Sequence, residues 1–356
     1  MRSSLTSRLQ QAPEWAFAVY ATLAAFCAYA SMYAFRKAFT AAPFAEGPVL
    51  LGLSYKSALV ILQVFGYMLS KFIGIKVVSE MGTNRRGLAI LVLIGIAWAA
   101  LLGFALVPAP YNAIFLFFNG LPLGMIWGLV FSYLEGRRQT EILGLGLCAS
   151  FIFASGLVKD VGRMLMENGV SEFWMPFLVG LIFVLPLCLC VWLLEQLPLP
   201  SPEDEALRTK RAPMSGSERK AFFRRFAAGL IALIAVYTVL SAYRDFRDNF
   251  MADIWQAATG TDSLPNFSGI EVPVSLGVLG LLMLLVLIKD NRQALRINQL
   301  TILLGVLAAG LSTWGFQQGW IGPYGWLLGT GFGTYMAYIP FNSILFDRMI
   351  AAFGQV

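Results

Sequence analysis

EWAFAVYATLAAFCAYASMYAFRKAF, residues 14–39, decides how the chain is read. From Trp15 the run is apolar for about twenty residues, the length a helix needs to cross the hydrocarbon of a bilayer. It then meets two consecutive cations, Arg36 and Lys37. A cation in such a segment is costly and is turned toward a protein interior or an aqueous path. Tyr29, Tyr33 and Arg36 stand at i, i+4 and i+7, which share one face of a helix. The spacing returns downstream as Tyr237, Ser241 and Arg244, at the end of another apolar run. Two related cations in two related settings point to a site between two related halves.

The rest of the chain has the same character. Its 356 residues are 58% hydrophobic and 13% charged, with a mean hydropathy of +0.70. Breaks in the apolar runs give ten candidate spans, at about 15–42, 54–79, 86–108, 111–133, 141–164, 173–195, 222–248, 269–289, 295–317 and 323–346. The runs are continuous and near twenty residues or longer, whereas barrel strands alternate over about ten. The expectation is an all-α polytopic membrane protein of about ten transmembrane helices.

Charge sets the orientation. The opening MRSSLTSRLQQAPEW carries Arg2 and Arg8 but no separate apolar region with a cleavage site, so the N-terminus is expected in the cytoplasm. Counting from there, Arg85 and Arg86, Arg137 and Arg138, the cluster from Arg208 to Arg225, and Lys289, Arg292 and Arg296 all fall in cytoplasmic loops. This topology accounts for the net charge of +6 without a nucleic-acid partner. Arg36, Lys37, Lys56, Lys159, Arg163, Arg244 and Arg247 are exceptions to the rule and merit a functional hypothesis. Among them Lys37 is read as interfacial, Arg247 as structural, and Lys159, Asp160 and Arg163 as a helix-surface ion cluster or added positive potential at an anion entrance.

Gln196–Ala221 is the long polar stretch, with Pro198, Pro200, Pro202 and Pro213. It divides the chain into a six-helix bundle at 1–195, a cytoplasmic linker at 196–221 and a four-helix bundle at 222–356. Arg36 and Arg244 are offset by nearly the same distance as Asn84-Arg85-Arg86 and Asn291-Arg292-Gln293, and Gly124 aligns loosely with Gly333 in register. The expectation is an internal duplication whose second copy is two spans short, through truncation or through loss of two helices.

YAFRKAF at 33–39 and GYMLSKFIGIKVVSEMGTNRR at 66–86 resemble the major facilitator superfamily, specifically its organophosphate:phosphate antiporter branch. The resemblance implies a two-bundle transporter fold in the cell's inner (plasma) membrane. It implies that Arg36 and Arg244 clamp a phosphate at the interface of the halves, with Tyr29 and Tyr33 lining the pocket and Lys71 nearby. Guanidinium suits that task because its rigid fork of donors matches phosphate oxygens and stays charged when desolvated. Tyr237, at the matching position in the second half, completes the expected substrate-binding set. The chain departs from the branch in lacking the loop aspartate before Arg85 and Arg86, and in carrying Ser150 where the branch places a histidine.

The chain has no histidine, so proton coupling would have to use carboxylates. Cys27, Cys188, Cys190 and Cys148 are read as core residues, with no metal or other cofactor expected. Gly144, Gly146, Gly156, Gly329, Gly331 and Gly333 are read as helix-packing positions. The expected function is secondary transport of a small anionic solute, an organic phosphate or related anion, by a monomer in the lipid bilayer. A non-transporting metabolite sensor of the same fold is the runner-up. An enzyme acting on lipid phosphate is disfavoured because no nucleophile–base pair is identifiable.

Overall fold

The computed structural model describes residues 4–82, 85–137, 140–200, 204, 216–288, 290–343, 345 and 348–349. Asn84, Arg138, Lys289 and most of the basic linker lie outside the described residues. Among the described residues there is no strand. The helices are α1 (Ser4–Gln11), α2 (Glu14–Tyr33), α3 (Tyr55–Glu80), α4 (Arg86–Leu106), α5 (Ile114–Leu123), α6 (Ile126–Phe131) and α7 (Thr140–Glu167). They continue with α8 (Met175–Glu195), α9 (Gly216–Asn249), α10 (Met251–Thr259), α11 (Phe267–Val286), α12 (Asn291–Gln317) and α13 (Pro323–Ser343).

Nine described segments are long and apolar enough to cross a membrane, against ten expected. The tenth expected span forms as α13, but Gly325, Gly329, Gly331, Gly333, Thr330, Thr334 and its tyrosines dilute its hydropathy. Most of those small and polar residues face protein, for α13 is buried from Thr330 through Phe341 except at Phe332, whereas Tyr324 at its start is exposed. Span four is interrupted: α5, with Pro122 inside it, gives way to α6 across Gly124 and Met125.

The chain divides into two compact units. Unit 1 comprises the described residues of Met1–Glu135, Gly146–Leu199 and Asn249–Ser275; unit 2 those of Gly136–Leu145, Pro200–Asp248 and Leu276–Val356. Each unit therefore takes chain from both sides of the linker.

Each unit is built around a backbone contact that only glycine allows. A Cβ on Gly120 would lie 2.1 Å from the Gln63 carbonyl oxygen, and one on Gly66 would lie 2.3 Å from that of Phe117, so α3 and α5 touch main chain to main chain. In unit 2 a Cβ on Gly305 would meet the Gly333 oxygen at 2.6 Å, and one on Gly333 the Gly305 oxygen at 2.5 Å, joining α12 to α13. Lipid chains are as apolar as leucine, so helix association relies on this close packing. Gly146, Gly156 and Gly329 also meet neighbouring side chains, as expected.

Six of the seven exceptional cations are buried: Arg36, Lys37, Lys56, Lys159, Arg244 and Arg247. Lys37 is therefore not interfacial; its Nζ donates to Asn249 Oδ1 at 2.6 Å. Lys159 likewise leaves the expected surface cluster for the interior, and Arg163 remains outside, paired with Asp160 and Glu167. The cysteine expectation also needs correction: Cys148 and Cys190 are buried, whereas Cys27 and Cys188 are exposed on the apolar surface.

Candidate functional site

In unit 1 the geometry begins where α2 ends. The helix stops at Tyr33 rather than running on to Pro43, and residues 34–37 form turns before a short 3-10 helix at Ala38–Ala41. The Arg36 and Lys37 amides both donate to the Tyr33 carbonyl, at 3.0 and 2.7 Å. Carbonyls left over at a helix end must find partners, and inside a membrane those partners must be protein. Asn119 Nδ2 donates to Phe35 O at 2.9 Å and Gln63 Nε2 donates to Arg36 O at 2.8 Å. Gln63 also donates to Asn119 Oδ1 at 2.7 Å, so the two amides hold the turn as one buried network.

That turn places Arg36 over an aromatic face. Its guanidinium carbon lies 3.9 Å from the centroid of Tyr67, and the side chain is buried. The same ring lies 5.1 Å from Lys71 Nζ. A cation over a desolvated ring is stabilised by about 2 kcal/mol. Tyr67 is hydrogen-bonded to Tyr29, and Tyr29 meets Tyr33 edge-on at 5.6 Å and Phe151 of α7 at 5.3 Å. The break between α5 and α6 borders this ring residue, since a Cβ on Gly124 would lie 2.6 Å from Tyr67 O. Interrupted helices at such depth occur where irregular backbone is covered by protein or lines a cavity.

Unit 2 has its own version. Arg244 lies within α9, buried, its guanidinium carbon 4.6 Å from the centroid of Tyr338 on α13. Tyr237, two turns earlier, stacks on that same ring at 5.4 Å with an interplanar angle of 12°. The Tyr237 hydroxyl donates to Asn342 Oδ1 at 3.1 Å and lies 3.2 Å from the Tyr338 hydroxyl. Arg244 Nη2 donates to Asp245 Oδ1 at 2.7 Å. One turn on, Arg247 lies 6.0 Å from the Tyr335 ring and donates to the Leu327 carbonyl at 2.9 Å, a structural contact.

The predicted residues thus gather into two groups. Tyr29, Arg36 and Lys71 converge on Tyr67 in unit 1, with Tyr33 reaching it through Tyr29 and Lys71 remaining exposed; Tyr237 and Arg244 converge on Tyr338 in unit 2. Arg36 shares a cluster with Tyr29 and Tyr33 without sharing their helix. Sequence reasoning missed Tyr67, Gln63 and Asn119, and likewise Tyr338 and Asn342. Part of the signal was present: Gln63, Tyr67 and Lys71 are spaced i, i+4 and i+8, a polar stripe on an otherwise apolar span. Ser150 is buried and donates to the Leu147 carbonyl of its own helix. No group of three or more potential metal ligands occurs among the described residues.

A family model described as a family of unknown function, DUF5690, matches residues 38–356. No curated protein matches the chain.

Proposed function

The chain belongs to that family of unknown function, and from its two arginine clusters we propose that it is a secondary transporter of a small anionic solute. The observation that carries this reading is the pairing of a buried arginine with a tyrosine face in each unit of a chain with nine apolar spans among its described residues. A guanidinium kept out of water retains its charge, and its planar fork of donors matches the oxygens of a phosphate or carboxylate. In water such a site competes poorly with hydration; inside an apolar unit the competition is smaller. Arg36 and Arg244 are the anion-recognising residues, with Tyr29, Tyr33, Lys71 and Tyr237 around them.

The resemblance of residues 33–39 and 66–86 to the organophosphate:phosphate antiporter branch narrows the solute to an organic phosphate or related anion. It also supports a major-facilitator-type arrangement in the cell's inner membrane with the N-terminus in the cytoplasm. On this reading the chain works by alternating access and makes or breaks no covalent bond.

The test is counterflow in proteoliposomes loaded with inorganic phosphate, with labelled phosphate and a panel of phosphate esters outside. Wild-type protein exchanges at least one of these, and Arg36→Ala and Arg244→Ala do not. Ligand-induced thermal stabilisation of wild type without counterflow of any panel member would instead favour the metabolite sensor.

A further inference from the structure

Outside the arginine clusters, unit 1 holds a second group of charges that the proposed function does not use. Glu271 is wholly buried, the fifth residue of the apolar span α11. Across from it runs α7, the most buried of the candidate spans. The two helices approach closely at Gly156, where a Cβ would lie 3.0 Å from Glu271 Cβ and 3.1 Å from the Phe267 carbonyl oxygen. One turn along α7 from Gly156 is Lys159, also wholly buried, its Nζ 5.7 Å from the Phe267 ring. Asp160 closes the seam, accepting from the amides of Phe267 at 3.1 Å and Ser268 at 2.6 Å. One turn beyond Glu271, Ser275 donates to Ala149 O on α7 at 3.2 Å.

A carboxylate with no access to water is pulled two ways: burial favours the protonated form, and a buried lysine in the same seam favours the charged one. The chain has no histidine, and a buried carboxylate whose affinity for a proton is raised by burial and lowered by a cation is a side chain able to carry a proton between binding and release. Along the seam with α11, α7 carries two charged residues, Lys159 and Asp160. Behind them lie Lys56 on α3, which interacts electrostatically with Lys159 and Glu172, and Asp253 on α10, which pairs with Lys56. α11 itself has no other ionisable residue.

We propose that Glu271 is a proton-binding site that couples this protein to a pH gradient. In one state a carboxylate oxygen takes a proton from hydronium and forms an O–H bond. In the other it returns that proton to water and stands charged in the seam with Lys159. The coupling half of this proposal rests on the transport reading; the proton binding does not. α7 is the mechanical link, because Phe151, less than two turns from Gly156, is the residue against which Tyr29 of the Arg36 cluster packs. A change in how α7 seats against α11 is thereby felt at Arg36, through one continuous rigid element.

Infrared difference spectroscopy of the purified protein across pH, following the carbonyl band of protonated carboxylic acids, tests the site directly. A titrating band is expected in wild type and in Glu172→Gln, and its loss is expected in Glu271→Gln. Lys159→Met removes the neighbouring cation and is expected to raise the midpoint by about one pH unit, a roughly tenfold rise in proton affinity. A band that persists unchanged in Glu271→Gln overturns the proposal. Should that variant fail to fold, Lys159→Met decides, and an unmoved midpoint there also overturns it.

In proteoliposomes with inorganic phosphate as the probe, Glu271→Gln is expected to keep exchange without a gradient and lose stimulation by an imposed pH gradient. Equal stimulation of both proteins overturns the coupling. A titrating Glu271 band in a protein that moves no anion would sink the transport reading while leaving the proton site standing.

Discussion

In unit 1, Arg36 follows the end of a helix and lies over Tyr67, a ring it shares with Lys71. In unit 2, Arg244 lies within a helix over Tyr338 and donates to its own neighbour, Asp245. Both guanidiniums are buried against a tyrosine, but their charge environments differ. Two cations flank one neutral ring in the first, and a cation and a carboxylate are adjacent in the second. An anion approaching Arg36 meets a second cation, Lys71, across the Tyr67 ring, whereas one approaching Arg244 competes with the carboxylate of Asp245. The recurrence of tyrosine and arginine at equal spacing therefore does not make the two sites equal in strength, and anion affinity is expected to reside mainly in unit 1.

The largest expected effect breaks unit 1. Arg36→Ala removes charge-assisted hydrogen bonds worth about 2 kcal/mol, roughly a thirtyfold loss of affinity for inorganic phosphate by calorimetry. Arg36→Lys recovers little of it, because an ammonium lacks the planar fork. Binding unchanged in either variant would remove Arg36 from the site.

A smaller change of opposite sign is expected in unit 2. Asp245→Asn releases Arg244 from a partly exposed pair worth at most about 1 kcal/mol, so phosphate affinity rises, by about fivefold at most. Adding Arg244→Ala cancels the gain. If Asp245→Asn weakens binding, the carboxylate orients Arg244 rather than competing for it.

The supports of the two sites can be compared in the same way. Gln63→Leu leaves the Arg36 carbonyl and Asn119 without a buried donor, at a cost of about 1 to 3 kcal/mol in thermal unfolding, and lowers phosphate affinity along with it. Asn342→Leu removes one acceptor from Tyr237, whose ring still stacks on Tyr338, so its effect on affinity is smaller. Equal effects would mean that the turn after Tyr33 does not depend on its side-chain caps.

The smallest effects are in pH, and they too run in opposite directions. Burial pushes the Glu172 carboxyl of unit 1 up, against the pull of the Phe44 backbone and Lys56. The stability associated with its neutral form is present below the unfolded pKa and is lost as pH rises through the raised folded value. Asp290 of unit 2 caps α12, and its bonds from the amides of Gln293 and Arg292, with the charges of Arg292 and Arg296, hold its carboxyl down. Its contribution is present above the unfolded pKa and is lost as pH falls through the lowered folded value. In melting curves across the carboxylate range, Glu172→Gln therefore removes a gain on acidification and Asp290→Ala removes a loss.

The helical spans were legible because an uninterrupted apolar run of twenty residues has few other readings. α13 was placed correctly as a helix, yet its glycines, threonines and tyrosines make it less apolar than a span, since it is protein rather than lipid that it meets. The buried cations were legible as exceptions to the orientation rule, and six of seven proved interior. What was not legible is where α2 stops. Ala34 and Phe35 would continue a helix; the chain turns there because Gln63 and Asn119, from two other helices, take its carbonyls. Tyr67 and Tyr338 were invisible for a related reason. An aromatic in an apolar run looks like packing until a cation is seen on its face.

Lys37, Lys56 and Asp160 take their partners from chain made much later: Asn249 and Asp253 follow their lysines by 212 and 197 residues. At about 5 to 20 residues per second, a ribosome needs on the order of ten to forty seconds to close that gap. Throughout it, two lysines destined for the interior must stay hydrated or borrow another counter-charge. The first six spans can therefore enter the bilayer without being able to finish folding, and the final seating of unit 1 waits on the emergence of α10 and α11.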